Sequence, residues 1–112
     1  MIRIQRKRTK GWRMPDGAVY VGRPSRWGNP YQVERYPHRL RWLVVHRDTR
    51  NSLGSFAAES EAIYWAVRGY GLTVPDMDRS RWLKPLRGAT ALACWCPLDQ
   101  PCHADVLLEL LA

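Results

Sequence analysis

The amino-acid sequence predicts an α/β protein, a single small domain in which a mixed or parallel sheet is flanked by helices. Segments rich in β-branched and aromatic residues, typical of strands, are interspersed with amphipathic segments typical of helices. An apolar run near the carboxyl terminus, ATALACWC, indicates a buried strand that leads into a terminal helix. The length of 112 residues suits one domain with a small core, which we take as residues 1–112.

Short strands joined by polar loops account for the first half of the chain. Apolar and polar residues alternate at positions 2–5, so we expect the basic segment 1–14 to be an edge strand or an arm. A Pro–Asp–Gly turn precedes a strand at 18–22. Residues 31–36 also suit a strand, whereas residues 40–46 suit either a strand or a short helix.

Helices dominate the predicted second half of the chain. A polar connector at 47–55 leads into the clearest helix, which Ser55 can cap and a glycine near position 70 can end. A shorter helix is expected at 76–84, and a terminal helix begins near Pro101. The expected core-facing side chains of the longest helix are Phe56, Ile63, Val67 and Tyr70.

Charge and aromatic content narrow the classes of function. The formal net charge is +8, in a composition that is 46% hydrophobic and 25% charged and so typical of a folded protein. Excess positive charge favours polyanions such as nucleic acid or nucleotides, and the six tryptophans could stack on bases or fill the core. Because the sequence holds neither a membrane-length apolar run nor a signal peptide, we expect a cytoplasmic protein with reduced thiols and no membrane partner.

The segment CWCPLDQPCHAD, residues 94–105, carries the densest chemistry in the chain, including all three cysteines. On an extended strand, Cys94 and Cys96 point to one face. A helix that begins near Pro101 places Cys102 in its first turn, where free backbone N–H groups favour an anionic ligand. We therefore expect a ligand-binding or catalytic site at this strand–turn–helix junction.

Three interpretations of this segment remain open, and the first is a functional thiol. At a helix N-terminus beside His103, the thiol of Cys102 would have a lowered pKa, and Asp105 would orient the imidazole or act as an acid or base. This interpretation makes Cys102, His103 and Asp105 the candidate catalytic residues. In it, Cys94 and Cys96 are small buried hydrophobic residues, and no cofactor is bound.

The second interpretation is a zinc site, and the third is a purely structural turn. The candidate zinc ligands are Cys94, Cys96, Cys102 and His103. The C-x-C spacing is tighter than usual for zinc, and neighbouring side chains on a helix diverge by about 100°. His38 or His46 could replace His103 as a ligand. In the structural interpretation, Asp105 only favours the helix terminus electrostatically.

The loop GRPSRWGNP, residues 22–30, is the second candidate site. Its glycines allow a tight turn or the close approach of a ligand, and its polar side chains are donors suited to phosphate or a base edge. Trp27 could stack on a ring or lie buried in a rigid turn. The candidate ligand-binding residues are Gly22, Arg23, Ser25, Arg26, Trp27, Gly28 and Asn29.

Two basic clusters could contact a polyanion or remain solvated surface. The first supplies the candidate nucleic-acid-binding residues Arg6, Lys7, Arg8, Lys10 and Arg13. The second would enlarge the positive surface if its members faced the same way: Arg79, Arg81, Lys84 and Arg87. Binding through such clusters would weaken steeply with added salt.

Three segments resemble a family of small bacterial and phage proteins that carries a domain-of-unknown-function label. These segments are VYVGRPSRWGNPY, LACWCPLDQPCHADVLLELL and the basic opening RIQRKRTKGWRMP. The resemblance covers nearly the whole chain, least clearly residues 34–55. It implies a stand-alone, compact α/β domain and directs attention to the two motifs, but it implies no activity.

Together these observations predict that the loop and the strand–turn–helix segment converge into one positive, aromatic site. That site would bind a nucleotide, a nucleobase or nucleic acid, with catalysis by Cys102 or Asp105 and binding alone both open. The alternatives are a zinc-stabilised nucleic-acid-binding module and a phage protein that binds a host protein. The sequence leaves the oligomeric state undefined.

Overall fold

The computed structural model describes residues 1–36 and 40–112. The predicted α/β class is confirmed, since these residues form a parallel sheet, an antiparallel sheet and three α-helices. Contacts divide the chain into a first unit, Met1–Gly28 with Val74–Ala112, and a second unit, Asn29–Thr73. In chain order the strands are β1 (Ile2–Gln5), β2 (Ala18–Tyr20), β3 (Tyr31–Tyr36), β4 (Arg41–His46), β5 (Ser52–Phe56) and β6 (Ala91–Cys94). The α-helices are α1 (Glu59–Tyr70), α2 (Arg79–Leu83) and α3 (His103–Leu111).

The parallel sheet of the first unit has β6 at its centre, with β1 on one side and β2 on the other. All four residues of β6 are buried, as expected for the central strand of a parallel sheet. Leu92 of β6 is the register partner of both Arg3 and Val19. Because the three strands run in one direction, their carboxyl ends meet at a single edge, which we call the carboxyl edge.

Helix α3 packs against β1 and β6 in the first unit. Its N-cap is Cys102, whose extended backbone (φ −145°, ψ 148°) leads the chain into the helix. The backbone N–H of Cys102 donates to Oδ2 of Asp105 over 3.0 Å, the reciprocal contact of a capping box. The predicted terminal helix is therefore confirmed, and its side chains His103, Ala104 and Leu107 are buried.

The second unit is an antiparallel sheet of order β3–β4–β5, with α1 packed against all three strands. Its core consists of Val44 from β4 together with Ala62 and Ala66 from α1. The turn after β4 is fixed by Arg50, whose guanidinium makes two hydrogen bonds of 2.8 and 2.9 Å to the carboxylate of Glu34. These bonds lower the pKa of Glu34 to about 2.

The structure corrects the prediction for the middle of the chain. The expected polar connector at 47–55 contains most of β5. Ser55 lies in that strand and does not cap α1, which begins after Ala58 without a side-chain cap. Local propensity does not indicate β5, because its sequence SLGSF holds two serines and a glycine; pairing with β4 stabilises it instead.

The buried face of α1 is rotated relative to the predicted face. Of the four expected core residues, Tyr70 is buried, Ile63 and Val67 are half-buried, and Phe56 belongs to β5 rather than to the helix. Small residues take the sheet-facing positions because they let the helix approach the strands closely. The buried residues of α1 are Ala62, Ala66, Gly69 and Tyr70.

The remaining elements agree with the sequence more closely. Residues 41–46 form a strand, β4, rather than a helix. The short helix expected at 76–84 spans Arg79–Leu83 and passes into a 3-10 turn, Lys84–Leu86, that contains a proline. Among the described residues, no helix combines the length and the apolar character needed to cross a membrane.

Gly69 and Gly71 offer a matched pair of substitutions at the end of α1. A Cβ at Gly69 would lie 2.5 Å from Cδ1 of Leu53 and 3.2 Å from Tyr31, whereas no described atom lies within 4 Å of a Cβ at Gly71. We expect Gly69→Ala to lower the free energy of unfolding by about 1 kcal/mol. Gly71→Ala, at a position that is already helical, should leave it unchanged or raise it slightly. Urea denaturation measures both, and equal stabilities would contradict this close packing of α1.

Candidate functional site

Three cysteines meet where the carboxyl end of β6 approaches the N-terminus of α3. Cys94 ends β6, Cys96 follows in the next bend, and Cys102 caps α3. Their Sγ atoms all lie within 4.8 Å of one another, and those of Cys94 and Cys96 are 3.7 Å apart. All three are free thiols. We call these residues the thiol cluster.

The spacing of the thiol cluster suits a single metal ion. With Zn–S bonds of about 2.3 Å, two sulfur ligands of a tetrahedral site lie about 3.8 Å apart. The sulfur atoms of Cys94 and Cys96 are 3.7 Å apart, so the three residues could hold a metal ion. The expected divergence of Cys102 from His103 does not arise, because Cys102 has an extended rather than a helical backbone.

His103 lies against the thiol cluster and is held by the residue that follows β2. Its Nε2 is 2.8 Å from the carbonyl oxygen of Val21, and a carbonyl oxygen can only accept, so Nε2 carries the hydrogen. Its Nδ1 lies 3.7 Å from Sγ of Cys102. Metal-ligating histidines adopt the same arrangement, with one ring nitrogen donating to a carbonyl and the other directed at the metal.

The alternative histidine ligands from the sequence are His38 and His46. His38 lies outside the described residues. His46 belongs to the second unit, where its Nδ1 accepts hydrogen bonds from the backbone N–H groups of Asp48 and Thr49 at 3.2 and 3.3 Å. Among the described residues, His103 is therefore the histidine that contacts the thiol cluster.

The three thiols compete for one negative charge. Hydrogen bonds from Cys102 and Cys96 lower the pKa of Cys94 to about 2. Contact with Cys102 lowers the pKa of Cys96, but contact with Cys94 and burial outweigh it and raise the value to about 11. Contacts with Cys94 and Cys96, together with burial, also raise the pKa of Cys102. Because of this coupling, one member of the thiol cluster is a thiolate and the other two are thiols. A bound cation would favour ionisation of all three.

The predicted catalytic residues Cys102, His103 and Asp105 lie together, but their surroundings favour a structural role. Cys102 is 1% exposed and its raised pKa keeps it protonated, whereas a nucleophile needs an accessible thiolate. His103 is also buried. Asp105 uses Oδ2 to cap α3 and Oδ1 to bind Arg3. A catalytic role for these residues stays a prediction.

Arg3 organises the segment between the cysteines, a role that the sequence does not predict. Its Nε lies 3.0 Å from Oδ1 of Asp105, and its side chain is only 9% exposed. The sequence offers only a weak indication of this role, an arginine within a strand of alternating apolar residues. We call its contacts the Arg3 clamp. The guanidinium also donates to the carbonyls of Cys96, Pro97, Leu98 and Gln100 at 3.5, 3.3, 3.3 and 2.9 Å.

Arginine and aromatic side chains cover the carboxyl edge beside the thiol cluster. After β1, the backbone N–H of Arg6 donates to the carbonyl of Cys94 over 2.8 Å, which carries the chain along this edge. The guanidinium of Arg6 lies 4.8 Å from the ring centre of Tyr20 and 5.0 Å from that of Trp95. The guanidinium of Arg8 lies 4.8 Å from the Trp95 ring, which belongs to a residue 37% exposed. We call Arg6, Arg8, Tyr20 and Trp95 the Arg–Trp surface.

The other predicted nucleic-acid contacts are also exposed on the first unit: Lys7, Lys10 and Arg13. In the second basic cluster, Arg79 pairs with Asp76 at 3.4 Å. Arg81, Lys84 and Arg87 line one cavity of about 600 Å³. These three basic side chains therefore lie together on the first unit, beside Asp78, which lines the same cavity.

Of the predicted loop at 22–30, residues 22–28 belong to the first unit and lie beside His103 and the Arg–Trp surface. Val21, directly before the loop, supplies the carbonyl that binds His103. Within the loop, the carbonyl of Arg23 accepts a hydrogen bond of 2.6 Å from the hydroxyl of Tyr20. Two successive backbone hydrogen bonds of 2.9 and 3.0 Å then fold the loop tightly. The two sequence motifs are therefore neighbours at the carboxyl edge.

Individual loop residues differ in their surroundings. Trp27 is buried and its Nε1 donates to the carbonyl of Trp82 over 3.0 Å, which makes it a structural residue rather than a stacking platform. Asn29 belongs to the second unit, where its amide nitrogen donates to the carbonyl of Ala66 over 3.0 Å. Among the others, Arg23 and Arg26 are exposed, Gly22 is buried, and Ser25 and Gly28 are half-buried.

The fold and the thiol cluster define a small α/β protein with a candidate metal centre at the carboxyl edge of a parallel sheet. Comparison with known protein families identifies the family of the chain. Residues 4–112 match the model of a domain of unknown function (DUF4326), and the chain belongs to this family. No curated protein and no solved structure matches the chain significantly.

Substitution of Arg3 tests the clamp. Lysine keeps a positive charge beside Asp105, but one ammonium cannot reach four carbonyls at once. We expect Arg3→Lys to lower the free energy of unfolding by about 2 kcal/mol, nearly as much as Arg3→Ala. The control Arg13→Ala, at an exposed position, should change it little. Urea denaturation at a fixed metal concentration measures these values. A fully stable Arg3→Lys variant would show that the ion pair, not the carbonyl contacts, is what Arg3 contributes.

Proposed function

We propose that this protein binds single-stranded nucleic acid through the Arg–Trp surface, and that the thiol cluster beside it holds a structural zinc ion. The observation that carries the proposal is the position of the Arg6 and Arg8 guanidinium groups over the partly exposed ring of Trp95. Guanidinium groups pair with phosphates, and an exposed indole ring stacks on a base. Both kinds of group lie within one patch.

The distribution of charge supports a polynucleotide over a free nucleotide. The chain has 18 lysines and arginines against 10 acidic residues, so its field attracts polyanions. Lys7, Lys10 and Arg13 extend the positive charge along the chain beyond the Arg–Trp surface. A basic segment of this length can reach phosphates of successive nucleotides. Stacking on Trp95 requires an unpaired base, which favours a single strand over a duplex.

Zinc is the metal that the donor set favours. Thiolate and imidazole ligands together suit tetrahedral Zn²⁺. The carbonyl of Val21 would orient the imidazole, as outer-shell carbonyls do in zinc sites. A site closed by four protein ligands has a structural rather than a catalytic role. The proposed ligands are Cys94, Cys96, Cys102 and Nδ1 of His103.

Binding is favoured over catalysis by the state of the predicted catalytic residues. Zinc would occupy both Cys102 and His103, which are already buried. The carboxylate of Asp105 is engaged by the helix cap and by the Arg3 clamp. The Arg–Trp surface, in contrast, presents charged and aromatic groups to solvent, as a binding module requires.

Zinc affinity tests the metal part of the proposal. We expect the reduced protein to bind one zinc ion per chain, with tetrahedral thiolate absorption when Co²⁺ replaces zinc. Because Cys96→Ser removes a direct ligand, it should weaken binding by more than the about 10–100-fold that loss of an outer-shell partner causes. Competition with a chromophoric chelator measures the affinity. Lys7→Ala, at an exposed position, is the control. Unchanged zinc affinity in Cys96→Ser would contradict the proposed site.

Salt dependence of oligonucleotide affinity tests the binding surface. We expect the double variant Arg6→Gln, Arg8→Gln to bind a labelled single-stranded oligonucleotide more weakly. The slope of log affinity against log salt should become shallower by about 1.4, because each phosphate contact to a single strand contributes about 0.7. Fluorescence anisotropy measures both quantities.

A matched double variant controls for net charge in that experiment. Arg47→Gln with Arg68→Gln removes two exposed arginines of the second unit and lowers the net charge by the same amount. We expect this variant to retain most of the affinity. Equal losses in the two double variants would assign binding to overall charge and refute the role of the Arg–Trp surface.

A further inference from the structure

Trp95 occupies the single position between two members of the thiol cluster. The Sγ atoms of Cys94 and Cys96 lie 3.7 Å apart and close to Sγ of Cys102. The Trp95 ring instead contacts arginines, with the guanidinium of Arg8 4.8 Å from its centre. One three-residue backbone therefore carries thiols toward α3 and an aromatic ring into the Arg–Trp surface.

Of the two cysteines that flank Trp95, Cys94 has the shorter contact at its backbone carbonyl. On one side, the carbonyl of Cys94 accepts a 2.8 Å hydrogen bond from the N–H of Arg6. On the other side, the carbonyl of Cys96 lies 3.5 Å from the Arg3 guanidinium, at the limit of a hydrogen bond. The side chain of Cys96 is therefore an important restraint on the chain directly after Trp95.

A bound metal ion would tighten that restraint. Without a metal, the Sγ atoms of Cys94 and Cys96 are 3.7 Å apart and all three lie within 4.8 Å of one another, and thiols are weak hydrogen-bond donors. Metal–thiolate bonds of about 2.3 Å would fix all three sulfur atoms around one point. Because Cys96 would then be tied to Cys94 and Cys102, the backbone dihedrals of Trp95 would lose freedom.

We infer that metal occupancy of the thiol cluster sets the orientation of the Trp95 ring and thereby regulates the Arg–Trp surface. The consequence for nucleic acid rests on both parts of the proposed function, whereas the link between metal and ring rests on the zinc site alone. Such coupling is reciprocal: a metal that orders Trp95 for nucleic acid is itself bound more tightly when nucleic acid is present. We expect a factor of about ten in each direction, within the usual range of couplings between sites.

NMR of the indole N–H groups tests the link without nucleic acid. In the reduced ¹⁵N-labelled chain, the Trp95 resonance is identified by its loss in Trp95→Phe. We expect one equivalent of Zn²⁺ to shift and sharpen this resonance and to leave that of Trp65 in place. Trp65 is a matched control because it is 43% exposed, against 37% for Trp95, and lies in the second unit. A stationary Trp95 resonance during stoichiometric zinc binding would overturn the inference.

If the metal-free chain does not fold, a comparison of two metals tests the same link between the metal and the Trp95 ring. Cd²⁺ is larger than Zn²⁺, so its longer bonds should spread the sulfur atoms of the thiol cluster while both loaded forms remain folded. We expect the Trp95 resonance to differ between the zinc and cadmium forms and the Trp65 resonance to coincide. Identical positions for Trp95 in the two forms would count against the link.

Oligonucleotide affinity separates this inference from the proposed function. We expect a labelled single strand to bind wild-type protein about tenfold more tightly with zinc than after chelation, and Trp95→Ala to lose this difference. No binding in either metal state would refute the proposed function, while a zinc-dependent Trp95 resonance would still support the metal–ring link. A zinc effect of full size in Trp95→Ala would show that the coupling bypasses the ring and would refute the inference.

Discussion

The carboxyl edge of the parallel sheet owes its arrangement to the Arg3 clamp. One guanidinium, from a residue 93 positions before Cys96, binds the carboxylate that caps α3 and the carbonyls of the segment between Cys96 and Cys102. That segment lacks the regular backbone pairing of a strand or helix, and its residues 97–100 are exposed, so burial does not hold it in place. Arginine can bind these carbonyls together because its five N–H donors lie in one rigid plane. The clamp therefore fixes the span of chain that brings the thiols together.

Charge balance connects the thiol cluster to the arginines around it. Three thiolates and one Zn²⁺ would leave a net charge of about −1 at the proposed centre. Arg3 and Arg6 reach this edge, and Arg3 already favours the ionised form of Cys96. Arg3 and Arg6 would thus offset the charge of the centre, whereas the neutral imidazole of His103 would add no charge. Metal ligation and a positive surface are electrostatically compatible neighbours on this unit.

Patterns that repeat along the chain were predictable, and properties set by distant contacts were not. An apolar run predicted β6 and an apolar stripe predicted α3, but β5 exists through pairing with β4. The motif CWCPLDQPCHAD was correctly placed at a strand–turn–helix junction, yet the convergence of its thiols follows from an extended N-cap that spacing does not reveal. The sequence left two alternatives open for Trp27, stacking on a ring or burial in a rigid turn. Tertiary packing buries that ring and leaves Trp95 partly exposed.

The first unit is discontinuous, since β1 and β2 precede the second unit along the chain while β6 and α3 follow it. Its central strand is therefore synthesised after both of its neighbours, which must wait without a partner. The second unit joins strands adjacent in sequence to the helix that follows them, so closing its contacts costs less chain entropy. During translation, we expect the second unit to form first. The thiols of Cys94, Cys96 and Cys102 can meet only after β6 and α3 have been synthesised, so the proposed metal centre and the proposed nucleic-acid surface are incomplete before that point.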